Sequence, residues 1–209
     1  MRDKFVFAVE GLENIQQFAA EQANIEMTMV QAINTTLRDT RAAASDRIRA
    51  QVNFSAEYLN PSQKRLFVNK QAKRGDLEGS ILARGRPTSL ARFITGSAPG
   101  RGTGVSVMVH PGRARFMKKA FLIKLRAGTD SIETRFNQGL AIRLRPGETL
   151  QNKKNVVQLK NGLFVLYGPS VSQVFLDNQG DGVAKDLEPH VLDELEDQFL
   201  RLLEVNKNK

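Results

Sequence analysis

The string LENIQQFAAEQANIEMTMVQAINTTLRDTRAAASDRIRAQ occupies residues 12–51. It contains neither Pro nor Gly and is rich in Ala, Gln, Glu and Arg, residues that lose little on entering a helix. Ala23, Met27, Val30, Ile33 and Leu37 recur at helical intervals, and Ala44 and Ile48 extend the series. This predicts a long helix with a narrow apolar stripe that turns Ala-rich in its second half. Small residues on a stripe let a partner helix or sheet approach closely. Asn24 is a candidate cap for a second segment, with a kink near Gln22–Asn24. A helix so much longer than the ~11–12 residue average is expected to turn part of its surface to a neighbouring subunit.

Outward from this helix the pattern changes to strands. Upstream, Phe5, Phe7 and Val9 alternate with Val6, Ala8 and Glu10, a short strand closed by Gly11. Downstream, Asn60-Pro61-Ser62 marks a turn, Leu66–Val68 and Leu77–Leu82 read as strands, and Gly85-Arg86-Pro87 interrupts the chain. Leu90–Ile94 fits either one helical turn or a strand. Gly96–Gly104, rich in Gly, Ser and Ala, reads as a flexible loop. Val105, Val107 and Val109 alternate with polar residues up to Pro111-Gly112. Phe116–Leu125 reads as one strand and Leu140–Leu144 as another. Val156–Leu159 and Leu163–Tyr167 flank Lys160-Asn161-Gly162, a hairpin with Asn-Gly at its tip. Ser170–Phe175 begins a short helix.

Val191, Leu192, Leu195, Phe199, Leu202 and Leu203 make Glu188–Val205 an amphipathic helix, with Pro189 in its first turn. Strands grouped between terminal helices predict an α+β fold: a long N-terminal helix, a central antiparallel or mixed sheet and a C-terminal amphipathic helix. At 209 residues and 41% apolar composition, the chain fits a single domain spanning 1–209.

Composition narrows the function. There is no Cys, which removes thiolate metal sites and cysteine nucleophiles, and there are two His, His110 and His190, neither with a second His at ligand spacing. No Trp is present and aromatics are 7%, too few for a base-stacking platform. No apolar run approaches the roughly 20 residues of a membrane span. Met1–Phe7 is too short and mixed for a secretory signal. The expectation is a soluble protein that stays in the cytoplasm where it is made.

The net charge is +9, and it is segregated. Gly79–Thr129 holds no Asp or Glu but carries Arg84, Arg86, Arg92, Arg101, Arg113, Arg115, Lys118, Lys119, Lys124 and Arg126. Asp177–Glu204 is the reverse, with nine carboxylates against Lys185 and Arg201. A basic loop-rich middle, 79–129, and an acidic tail let copies of one chain pair head to tail. The same basic stretch would equally fit contact with nucleic-acid phosphates without sequence reading.

Sites of catalysis are weak in this sequence. Gly100-Arg101-Gly102-Thr103-Gly104 lacks the Lys-Ser/Thr of a phosphate loop and precedes a strand. Asp177, Asp181, Gly182 and Glu188 superficially follow a calcium-loop spacing, but Gln179 and Lys185 are poor members of one, and a turn entering a helix explains the same residues. Asp193 and Asp197 lie at the spacing of a solvated helix face. The expectation is a protein that is not an enzyme, with no catalytic residue, cofactor or metal site.

With these segments placed, the chain resembles the phage minor tail protein Z family, the tail completion proteins of lambdoid phages. The likeness rests on order and pattern over nearly the whole length. Ala32-Ile33-Asn34-Thr35-Thr36 is followed by Arg38, Arg41, Arg47 and Arg49, then by the Lys/Arg-rich middle with Lys118-Lys119-Ala120-Phe121. Leu166-Tyr167-Gly168-Pro169-Ser170-Val171 comes next, then Val174-Phe175 and the terminal helix. Asp130–Asn155 is longer than the pattern calls for and reads as an insertion.

The resemblance implies a structural virion protein at the head-proximal end of the tail, or neck, assembled in the host cytoplasm. Its implied partners are further copies in a hexameric ring, the tail terminator, the tail tube, the head-tail connector and genome DNA in the lumen. No membrane is involved. Arg84, Arg86, Arg92, Arg101, Arg113, Arg115, Lys118 and Lys119 would carry interface or polyanion contacts. Gly168, Pro169 and Ser170 would form a structural turn. The alternative is a non-sequence-specific nucleic-acid-binding protein.

Overall fold

The computed structural model describes residues 2–8, 19–96, 104–125, 138–150, 154–177 and 182–207. The chain is α+β, and it divides into two compact units. One comprises Met1–Ile48, Ala56–Gly85 and Val171–Lys209, the other Arg49–Ser55 and Arg86–Ser170.

The first unit holds β1 (Arg2–Ala8), most of α1 (Ala19–Gln51), β2 (Leu66–Lys70), β3 (Glu78–Arg84), α2 (Val171–Leu176) and α3 (Val183–Lys207). Its strands form an antiparallel sheet in the order β1-β3-β2, with Val6 opposite Ser80 and Phe67 opposite Leu82. Gly79 through Ala83 are buried without alternation, so both faces of β3 are covered. The helix α2 packs on β3 and β1, and α3 packs on α2.

The helix α1 runs unbroken from Ala19, so Asn24 does not cap a second segment. It lies inside the helix, where its carbonyl accepts the Thr28 hydroxyl at 2.8 Å. Residues 12–18 of the expected helix lie outside the described residues. The buried row is also displaced from the expected one. Ile33, Leu37, Ala44 and Ile48 are fully buried, but Met27 is exposed and Val30 half-exposed. Thr28, Ala32, Thr36 and Thr40 complete the buried face at four-residue intervals. Leu37 lies directly against Gly79 of β3: a Cβ there would meet its Cδ1 at 2.4 Å, so a larger residue would require the leucine side chain to move.

Polar clamps fix α1 within this unit. Asn34 donates to the Ala72 carbonyl at 3.0 Å and accepts from the Ala72 amide at 2.9 Å. Arg41 donates to the carbonyls of Leu66 and Leu59, and its burial lowers its pKa from the ordinary value, with Asp46 opposing that shift. Arg65 lies 4.1 Å above the Tyr58 ring and donates to the Tyr58 carbonyl. Lys70 joins Asp76 at 2.8 Å and Glu78 at 3.0 Å across the β2–β3 connection.

The C-terminal helix starts a full turn before Glu188. Val183, Ala184, Leu187 and Val191 are all at most 6% exposed, so burial of this stripe extends the helix back to Val183. Pro189 is therefore in the helix interior and not in its first turn. Tertiary packing outweighs the amide hydrogen bond that proline removes.

The second unit is built of strands. It contains β4 (Thr88–Ser89), a 3-10 turn at Leu90–Phe93, β5 (Ile94–Thr95), β6 (Val105–His110), β7 (Arg113–Met117), β8 (Ala120–Lys124), β9 (Gln138–Arg143), β10 (Val156–Gln158) and β11 (Leu163–Gly168). One antiparallel sheet has the order β10-β11-β9-β8 with β4 on β11, the other the order β5-β6-β7. Phe116–Leu125 is thus two strands in two sheets, separated at Lys118-Lys119, and not one. The hairpin at Lys160-Asn161-Gly162 forms as expected, with Asn161 and Gly162 both at φ near +60° (60° and 65°). Phe93, Val105, Val107, Leu140, Ala141 and Val165 form the buried centre, and Phe54 meets Phe93 at 5.5 Å between ring centroids.

Candidate interaction surface

The cations of the chain sort by unit. The second unit contains 16 Lys and Arg against 3 Asp and Glu, a net of +13, and the first contains 15 against 19, a net of −4. The segment 130–155, expected as an insertion, belongs wholly to the basic unit; residues 130–137 and 151–153 of it lie outside the described residues.

The strand β7 and its exit, residues 113–119, carry four of these cations. The hairpin β6–β7 turns at Pro111-Gly112, where Gly112 has φ +73°, a conformation that a side chain would strain. Val105 faces Met117, Ser106 faces Phe116 and Val107 faces Arg115. Between Val107 and His110 the register then shifts by one residue in β6. The shifted carbonyls are used: Asn53 donates its amide to Val109 at 2.7 Å and its side chain to Met108 at 3.3 Å. His110 Nδ1 lies 3.0 Å from the Gln51 carbonyl, which assigns it a structural contact and requires the proton on Nδ1.

Alternation puts Arg113 and Arg115 on one face of β7, with Ala114 and Phe116 on the other. Arg113 through Phe116 are all exposed, Phe116 at 61%. The strand is an edge with unpaired backbone on its outer side. Gly104, at φ +77°, makes room for the Phe116 ring, because a Cβ there would lie 2.6 Å from Cζ.

Lys118 is exposed at the crossing to β8, and Lys119 reaches Glu148 at 2.6 Å. Glu148 also accepts from the Arg145 amide at 3.1 Å. These two donors, Lys119 first, hold its carboxyl below the usual range. Lys119 thus spends its charge on a carboxylate of its own chain.

The expected contact residues are not all brought together. Arg113, Arg115, Lys118 and Lys119 share one hairpin and its exit. Arg86 is exposed just after the chain enters the second unit, and Arg92 is half-exposed in the 3-10 turn. Arg84 ends β3 in the other unit, where its amide bonds the Arg65 carbonyl at 2.9 Å. Arg101 lies outside the described residues. Arg143, Arg145, Lys154 and Lys160, exposed in the second unit, were missed because they lie beyond residue 129. Only the paired strands place them with the rest.

Gly168 is the last residue of β11 and pairs with Thr88. A Cβ there would meet Leu90 and Phe93 at 3.1 Å, so its role is close packing at the strand end. Pro169 and the fully buried Ser170 then lead into α2.

The described part of the calcium-loop spacing, from Val183 on, is helical. Residues 178–181, including Gln179 and Asp181, lie outside the described residues, but Lys185 and Glu188 are helical. Gly182 is set by backbone crowding, since a Cβ would come 2.6 Å from the Asp177 amide nitrogen. Among the described residues no three Asp, Glu or His side chains converge, and no helix is long and apolar enough to cross a membrane. Asp193 and Asp197 are exposed, on a solvated helix face. Comparison with family models, with curated proteins and with solved structures finds no match to this chain.

Proposed function

We propose that the chain is a non-enzymatic structural subunit of a tailed-phage virion, a tail completion protein acting at the neck, where tail meets head. The observation that carries this reading is the division of charge, +13 on one compact unit and −4 on the other. Opposite signs on separate folded bodies orient copies of one chain against each other. The resemblance of its segment order to the minor tail protein Z family suggests the biological setting. In that setting the subunits form a ring, expected to be hexameric. The ring adjoins the tail terminator, tail tube and connector, and the basic unit faces DNA or an acidic neighbouring ring. The test is to delete the protein from the virus and image the products. Unjoined heads and tails are expected; normal infectious particles would overturn the proposal.

A second reading, non-specific nucleic-acid binding by the chain alone, is favoured by the 16 cations against 3 carboxylates in the second unit. Titration of duplex DNA at several salt concentrations separates the two. Submicromolar affinity of the monomer at physiological salt, with a steep log-log salt slope, would favour this reading.

A further inference from the structure

We propose that the distal half of α3 is the acidic half of a head-to-tail contact whose other half is β7 of a second copy. This rests on the assembly reading above and adds which surfaces meet.

Up to Val191, α3 is covered on one side. Beyond it, Leu192, Leu195, Phe199, Leu200, Leu202, Leu203 and Val205 follow, and none is buried; Leu192 is 62% exposed, Leu200 50% and Val205 48%. Glu188, Leu192, Glu196 and Leu200 succeed one another at four-residue intervals and are all exposed, so they form one winding ridge of alternating acidic and apolar side chains. Gln198, 8% exposed, shows that one side of this half is covered as well; on the other side Leu192, Leu200 and Val205 stay exposed along one helix, and such a run marks a contact surface where scattered exposed leucines do not.

The charge of the ridge selects its occupant. Phosphate-bearing partners, whether lipid surface or nucleic acid, are repelled by the carboxylates. The complement is a cationic surface, and the edge strand β7 offers one: Arg113 and Arg115 are exposed on one of its faces, and Phe116, also exposed, lies on the other. Ridge and strand belong to every copy, so the contact is heterologous and propagates or closes into a ring.

Sedimentation velocity of the full-length chain, over a range of protein and salt concentrations, tests this. Glu188→Lys/Glu196→Lys and Arg113→Glu/Arg115→Glu should each weaken association at least tenfold. An equimolar mixture of the two should restore it, because each reversed surface then meets its opposite. Leu192→Ser, at an exposed position, should weaken association while leaving the circular dichroism spectrum unchanged. Wild-type assembly unaffected by either reversal would overturn the contact and leave the neck proposal standing. Loss of duplex-DNA binding by Arg113→Glu/Arg115→Glu without loss of assembly would assign β7 to nucleic acid and overturn it too. A wild-type chain monomeric at all concentrations would also overturn it. Failure of the neck proposal itself is read separately, from particles made without the protein.

Discussion

The two units of this chain solve different physical problems. In the first, helices accompany a three-stranded sheet whose middle strand is buried on both faces, and acids slightly outnumber bases. In the second, short strands pair in two sheets, one edge strand is exposed on both faces, and bases outnumber acids about fivefold. The chain-wide net charge of +9 describes neither. A unit at +13 repels itself, and anything that brings negative charge to it relieves that repulsion. The lesson is that a partner's chemistry is better read from a folded unit than from the chain average.

The sharpest way to break this division is to damage one centre at a time. Phe93→Ala in the second unit and Phe175→Ala in the first each remove a side chain at most 2% exposed, at a cost of about 3–5 kcal/mol. Urea unfolding followed residue by residue should show each loss confined to its own unit. Equal shifts in both would argue that they unfold as one.

A smaller effect is expected at the entry to α3. Gly182→Ala places a methyl against the backbone of residues 175–177, and overpacking against atoms that cannot rotate away should cost about 2–3 kcal/mol. A melting temperature unchanged by this substitution would mean that the start of α3 yields easily. Asn34→Ala comes next. It strips the Ala72 amide and carbonyl of their partner, a loss of about 1–2 kcal/mol in the first unit, measurable by chemical denaturation.

The smallest effect concerns acid. Lys70 holds the Asp76 carboxyl below its ordinary value in the first unit, and Lys119 does the same for Glu148 in the second. A carboxylate with a depressed folded pKa stabilises above its unfolded value, and the contribution is lost as pH falls through the folded one. Each unit should therefore weaken on acidification below about pH 4. Asp76→Asn and Glu148→Gln should each flatten that dependence in its own unit, as followed by circular dichroism against pH. Lys70, raised by its hydrogen bonds to Asp76 and Glu78, has the opposite sign. Its contribution is present below its unfolded pKa and is lost as pH rises through the higher folded value, above about 10.4.

Residues 19–51 announced a helix through the absence of Pro and Gly, and Asn161-Gly162 announced a hairpin through a turn that few other residues can make. Such local signals need no partner. The errors fell where a partner decided. Thr28, Thr36 and Thr40 are buried in the packed helix, and no periodicity of apolar residues contains threonine. Pro189 is helical because the buried Val183–Val191 stripe outweighs its missing amide. Phe116–Leu125 divides at Lys118-Lys119 because its two halves pair with different sheets.

The order of helix and strands, the lack of thiol chemistry and the crowding of cations between residues 79 and 129 were properties of the amino-acid string alone, since each follows from composition or nearest neighbours. Which cations stand together was decided only in three dimensions. Arg84, inside the basic stretch, folds with the acidic unit, and Arg143 and Arg145, outside it, fold with the basic one. Strand pairing joins residues far apart along the chain, and a running count of charge cannot see it.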